Sequence, residues 1–233
     1  MIYCISDIHN HYAHLRNLLD VIKYDFEKDT LYVLGDIFDC GGAKTEPLEL
    51  FDFLYESRKS IFCLKGNHDV WVKESIDNYI HTGSFHSVYE TMGILLESNV
   101  SKEKLECISK FIEDMPLQHE LCINDKKYLL AHAQTSLPYI IRSERFYTMG
   151  LYSRAFFENG VEDERYISVV GHIPTDCLHF MFNLSPKLRF ENGKNTIWIG
   201  EHVIDIDCGL GADDDITGRL GCICLDDMST YYV

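Results

Sequence analysis

The stretch "FCLKGNHDVW", residues 62–71, holds the pattern that decides the fold. An apolar run from Ser60 to Leu64 reads as a short buried strand that stops at Gly66. Three polar side chains, Asn67, His68 and Asp69, follow at once. The same arrangement occurs twice upstream. "IYCIS" (2–6) runs into "SDIHN" (6–10), and "TLYVL" (30–34) runs into "GDIFDCGG" (35–42). Between the strands lie helical stripes: Leu15, Leu18, Leu19 and Ile22 in one, then Leu48, Phe51, Leu54 and Tyr55 behind Pro47 in the next. The order β-α-β-α-β implies right-handed crossovers and a parallel sheet. Function in such sheets gathers at the carboxyl ends of the strands, where the three polar clusters stand.

Further along, residues 70–118 read as mostly helical, with Ser101 as an N-cap before Leu105, Ile108, Phe111 and Ile112. The second half turns to strands. "HELCIND" and "KKYLLAHA" form a hairpin around 124–127, and "YISVVGH" (166–172) ends in Gly-His. "ENGK" (191–194) is a hairpin turn expected to join "KLRF" to "NTIWI". "HVIDIDCG", "LGCICLDD" and "STYYV" follow. The expected fold class is α/β: two packed mixed β-sheets flanked by helices, an α/β sandwich forming one domain over residues 1–233.

Composition narrows the function. With 233 residues and 46% hydrophobic content, the chain can bury one sizeable core. A net charge of -16 argues against binding a phosphate backbone, so no nucleic-acid partner is expected. Nine cysteines, odd in number and without a CxxC pair, suit a reducing compartment. The start "MIYCISDIH" lacks a basic leader, and no apolar run nears the roughly 18 residues of a membrane span. These readings lead to a cytoplasmic monomer with no membrane contact.

The polar residues at strand ends are Asp7, His9, Asp36, Asp39, Asn67, His68, His132 and His172. Their mix of oxygen and nitrogen donors suits Mn, Fe or Zn better than Ca or Mg alone. Asp7 and His9 are two apart, and on an extended segment both would point to one side. Gly35 and Gly66 each precede a candidate ligand and would let backbone pass close to a crowded centre. Any one of these motifs alone reads as a turn, a helix cap or a hydrogen-bonded core histidine. Five in order, each after a strand, point to a common site.

In that order, "DIH … GDIFD … GNHD … AHA … GH" resembles the calcineurin-like metallophosphoesterases, in particular the small bacterial and bacteriophage Ser/Thr phosphatases. The resemblance implies two metal ions. Asp7, His9 and Asp36 would hold the first. Asp36 would bridge to the second, completed by Asn67, His132 and His172. A water between the ions would attack phosphorus in line. His68 would protonate the leaving alkoxide, with Asp39 holding its ring. Asn67 and Arg154, in "LYSR", would contact the phosphate.

This chain departs from the pattern in two places. Asp39-Cys40-Gly41 stands where the family has Asp-Arg-Gly, so one phosphate-gripping arginine is missing. That loss could weaken phosphate binding by about 1.5–3 kcal/mol, with Arg142 or Arg145 as candidate substitutes. Asn10 stands where the family has Gly, and Asn tolerates a left-handed backbone. The "ADDD" run at 212–215 reads as an exposed acidic loop. The expected activity is a metal-dependent phosphomonoesterase acting on phosphorylated protein or peptide. The rivals are a symmetrical diadenosine tetraphosphatase, acting on a dinucleoside polyphosphate, and a binding protein that keeps the fold without turnover.

Overall fold

The computed structural model describes residues 1–42, 44–85, 90–137, 143–150, 153–184, 190–211 and 217–233, and the backbone but not the side chain of His179. The "ADDD" run and Arg142 lie outside the described residues.

The first third alternates as the sequence indicates: β1 (Ile2–Ile5), α1 (Tyr12–Ile22), β2 (Thr30–Val33), α2 (Pro47–Glu56) and β3 (Ile61–Cys63). The helical region is α3 (Asn67–Thr82), α4 (Glu90–Glu97) and α5 (Lys102–Glu113). Ser101 caps α5, its hydroxyl accepting from the Lys104 amide at 3.2 Å. Next come β4 (Gln118–Ile123), β5 (Lys126–Ala131), α6 (Glu144–Met149), α7 (Arg154–Asn159), β6 (Tyr166–Val170) and α8 (Thr175–Phe182). The chain closes with β7 (Trp198–Ile199), β8 (Val203–Asp205), β9 (Gly221–Cys224) and β10 (Thr230–Tyr232).

These strands build two five-stranded sheets, in the orders β10-β9-β1-β2-β3 and β4-β5-β6-β8-β7. β1, β2 and β3 run parallel, as do β5, β6 and β8, and the outer partners are antiparallel. Alternation along β1 shows how the layers form. Tyr3 and Ile5 face a core shared with Leu15, Phe51, Val72 and Ile108 from the covering helices. Cys4, between them, faces Tyr128, Leu130, Val169 and Ile204 of the second sheet. Phe156, Phe157, Leu178 and Phe182 cover that sheet's outer face with Trp198 and Val203. Cys4, Cys222 and Cys224 pack as small apolar residues, and all nine thiols are free. No helix among the described residues is long and apolar enough to cross a membrane.

Two expectations need correction. α3 begins at Asn67 rather than at 70, because Asp69 reaches back to the Gly66 amide at 2.8 Å and opens the helix earlier. The "ENGK" turn forms, with Asn192 and Gly193 at φ 54° and 78°, but it closes only a Glu191–Lys194 bridge. β7 pairs with β8 instead, Trp198 opposite Asp205, and residues 187–189 of "KLRF" lie outside the described set.

Candidate metal centre

The parallel strands of both sheets deliver their carboxyl ends to one place. Asp7 follows β1, Asp36 follows β2, and Asn67 opens α3 just after β3. His132 follows β5 and His172 follows β6. Hydrogen bonds tie the sheets together there. His132 Nδ1 meets the Leu34 carbonyl at 2.8 Å, and the His172 amide donates to Asp7 Oδ2 at 3.1 Å.

The donors fall into two groups that share one residue. Asp7, His9 and Asp36 form the first and Asp36, His132 and His172 the second, their ligand atoms all within 4.8 Å of one another in each. Asn67 Oδ1 joins the second group, 3.2 Å from His132 Nε2. His132 Nε2 lies 3.2 Å from Asp36 Oδ2, and His9 Nε2 lies 3.9 Å from Asp7 Oδ1.

The route by which Asp7 and His9 converge differs from expectation. Their segment is not extended, since Asp7, His9 and Asn10 stand at φ 55°, 48° and 65°. Asp36, Asp39, Cys40 and His172 also have left-handed backbones. Such conformations cost non-glycine residues of order 1 kcal/mol each and collect at sites that require them. Gly66 meets a different demand. A Cβ there would overlap both the carboxylate and the amide of Asp36, and neither can give way. Gly66→Ala should therefore cost about 3 kcal/mol or more of stability, read as a lower urea midpoint, against about 1–2 kcal/mol for Gly83→Ala, which meets open space and bears only the strain of its left-handed backbone. A wild-type midpoint for Gly66→Ala would show that this approach is not rigid.

The electrostatics fit cations. Burial raises the Asp7 carboxyl above its usual range, and neighbouring Asp36 adds to the effect against His132 and His9. Burial opposes charge on Asp36 too, but His132, His9 and His68 outweigh it and hold its pKa low. Burial works against charge on His132, yet Asp36 and Asp7 raise it to about 9. His172 drops to about 3 through burial and the neighbouring His132. Two buried carboxylates thus depend on imidazoles for compensation. With Nδ1 of His9 against the Asp39 carbonyl at 3.0 Å and Nδ1 of His132 against Leu34, each ring turns Nε2 inward. That donor set fits transition-metal ions.

His68 stands at the rim. Its amide donates to Asp36 Oδ1 at 2.9 Å, and its Nδ1 lies 3.2 Å from Asp39 Oδ2. Burial disfavours the charged ring, but Asp39, Cys40 and Asp36 prevail and raise its pKa to about 11. Cys40 Sγ is 3.4 Å from Nδ1 and 3.8 Å from Nε2. A sulfur cannot reach both nitrogens in the ring plane without striking ring carbons, so the thiol lies over the ring face. Trp71 packs edge-on from another side, its ring 4.7 Å from His68.

Asp69, the last residue of "GNHD", does more than open α3. Its buried carboxylate also accepts from the Ile37 and Phe38 amides at 3.0 and 3.2 Å, fastening the Asp36 loop to the Asn67 turn. Arg154 is exposed at the start of α7 and pairs with Glu158 at 2.7 Å. Arg145 is exposed on α6. Two larger surface cavities, about 640 Å³ beside Ile199 and Tyr232 and about 680 Å³ beside Leu137 and Arg165, are lined by none of the donors.

Known proteins bear on this geometry. The description "calcineurin-like phosphoesterase" belongs to the family model that residues 1–203 match. A symmetrical bis(5'-nucleosyl)-tetraphosphatase of Pseudomonas fluorescens is 37% identical over 68 residues, 29% of this chain and 23% of that protein. An uncharacterized protein of Methanocaldococcus jannaschii is 34% identical over 145 residues, 60% of this chain and 52% of that one. The match spans about a quarter of most of the tetraphosphatases' own length, 24% in the Wigglesworthia glossinidia brevipalpis protein, and 43% of the Paracidovorax citrulli one. A solved protein serine/threonine phosphatase from Saccharomyces cerevisiae shares the fold, with a TM-score of 0.58 at 16% identity, covering 100% of this chain and 78% of that one. So does a structure put forward as a diadenosine tetraphosphatase, with a TM-score of 0.62 at 14% identity, covering 100% and 92%. With 203 of 233 residues inside the family match, the chain belongs to the calcineurin-like phosphoesterases.

Proposed function

We propose that this phosphoesterase is a metal-dependent phosphomonoesterase acting on phosphoserine or phosphothreonine in proteins or peptides. The observation that supports it most directly is the sharing of Asp36 between two donor groups, with the Asp39–His68 pair hydrogen-bonded at their edge. On this reading Asp7, His9 and Asp36 hold one ion, and Asp36, Asn67, His132 and His172 hold the other, the ions being Mn, Fe or Zn. An ion pair held there supplies Lewis acidity toward phosphoryl oxygens and lowers the pKa of bound water. Asp36 contributes the charge that offsets repulsion between the cations. Asn67 borders the phosphate, and Arg154 grips it after leaving its exposed partner Glu158, a weak surface pair. His68 donates a proton to the departing oxygen, and Asp39 keeps its ring aimed.

Leaving-group chemistry favours the monoester. A serine or threonine alkoxide is strongly basic and departs poorly without a proton. A nucleotide phosphate is a weak base and needs little help from an acid. A built acid therefore does most for an alkoxide. A second reading, a symmetrical dinucleoside tetraphosphatase, is favoured by the names of the curated relatives. The test is turnover of a phosphoserine peptide and of diadenosine tetraphosphate by the Mn-loaded protein. The expected result is kcat/KM at least about tenfold higher for the peptide. The reverse ranking would transfer the assignment to the tetraphosphatase. Turnover of neither would leave a binding protein that retains the fold.

A further inference from the structure

Asp39 is held by a segment that none of the sequence motifs includes. Its Oδ1 accepts from the Glu90 amide at 2.8 Å and from the Thr91 amide at 3.4 Å. Its own amide donates to Thr91 Oγ1 at 2.8 Å. Asn10 Nδ2 donates to the same hydroxyl at 2.9 Å, so both acceptor positions of Thr91 Oγ1 are filled. Asn10 and Thr91 are fully buried and Asp39 nearly so. Glu90 and Thr91 open α4, whose first amides lack partners within their own helix. The Asp39 carboxylate caps them from 51 residues away in sequence.

This arrangement has a directional consequence. A carboxylate turns freely about its Cβ–Cγ bond unless one oxygen is fixed. Here Oδ1 is committed to the amides of α4, which leaves Oδ2 for His68 Nδ1 at 3.2 Å. The Thr91 hydroxyl pins the Asp39 backbone in its left-handed conformation, φ 69°. Asn10, itself left-handed at φ 65°, steadies the hydroxyl from behind.

We propose that Thr91, backed by Asn10, is a positioning residue for general-acid catalysis. It sets the Asp39 carboxylate, which aims the His68 ring at the leaving group. The inference rests on the reading of His68 as the acid. It also gives the asparagine at position 10 a role of its own.

The test uses the full chain loaded with Mn and two esters that differ in leaving-group basicity. Phenyl phosphate needs an acid, and p-nitrophenyl phosphate needs it far less. Thr91→Val removes the hydroxyl at nearly constant volume. It should slow kcat on phenyl phosphate about tenfold or more and on p-nitrophenyl phosphate at most about threefold, with Thr91→Ser restoring both. Asn10→Gly should show the same selectivity at smaller size, and it carries the test if Thr91→Val fails to fold. Equal slowing on both esters, or none, would overturn the proposal.

A second readout is independent of turnover. In the metal-free or Zn-loaded protein, the low-field proton resonance of the Asp39–His68 hydrogen bond should shift or broaden in Thr91→Val or Asn10→Gly and persist in Thr91→Ser. An unchanged resonance in both weakened variants would also overturn the proposal. If the wild type hydrolyses neither ester, the monoesterase reading falls. The resonance then decides alone whether Thr91 directs this bond.

Discussion

A His68→Asn protein should bind its metal ions as the wild type does and turn over at least about a hundredfold more slowly. Asparagine keeps a donor near the Asp39 carboxylate, which His68 Nδ1 now approaches at 3.2 Å. It also keeps the backbone amide that donates to Asp36 Oδ1, so the donor groups need not move. What it lacks is a proton to give up near neutral pH. Metal content by elemental analysis and kcat on a phosphoserine peptide measure the two halves of this expectation. Wild-type turnover would remove His68 from the mechanism. A loss of metal would recast it as a structural support of the Asp36 loop.

The larger effect belongs to Asp36→Asn. Asp36 is the one carboxylate common to both donor groups, and its oxygens already meet the His68 amide and His132 Nε2. The amide keeps the shape, yet it loses the charge and offers an N–H where the proposed ligand set puts a cation. On the proposed ligand set, bound metal should fall from two ions per chain to one or fewer, and kcat should fall by more than about a thousandfold. Stability in metal-free buffer should fall as well, because the amide withdraws the charge that compensates the buried His132 ring. Two ions per chain in this variant would refute the bridging role.

Much of this site can be read from the sequence because each motif follows directly on an apolar strand. "YCIS" before Asp7, "YVLG" before Asp36 and "SVVG" before His172 mark strand and rim together, whereas the placing of β9 and β10 beside β1 is seen only in the fold. The first turn of α3 was obscured because Gly-Asn-His-Asp has the composition of a loop. Only the fold shows Asp69 returning to the Gly66 amide. Thr91 gave no signal at all. A threonine early in an amphipathic helix has no periodicity of its own, and its partner Asp39 is 52 residues away. Asp7 and His9 converge for a reason their spacing does not show. Their spacing assumed extended backbone, whereas left-handed dihedrals bring them round. Dihedrals of that kind answer to tertiary contacts, such as the Asp7 amide donating to Gly35 O at 3.1 Å.

The division of the donors between the sheets has a consequence beyond chemistry. Asp7, His9, Asp36 and Asn67 come from the edge of one layer, while His132 and His172 come from the other. On the proposed ligand set, cations at Asp36 would rivet the two layers at one end of the sandwich. Ligation of that kind adds binding free energy to the folded state alone. Loading would then be a mechanical event as well as a chemical one, closing a seam that apolar contacts hold elsewhere along its length.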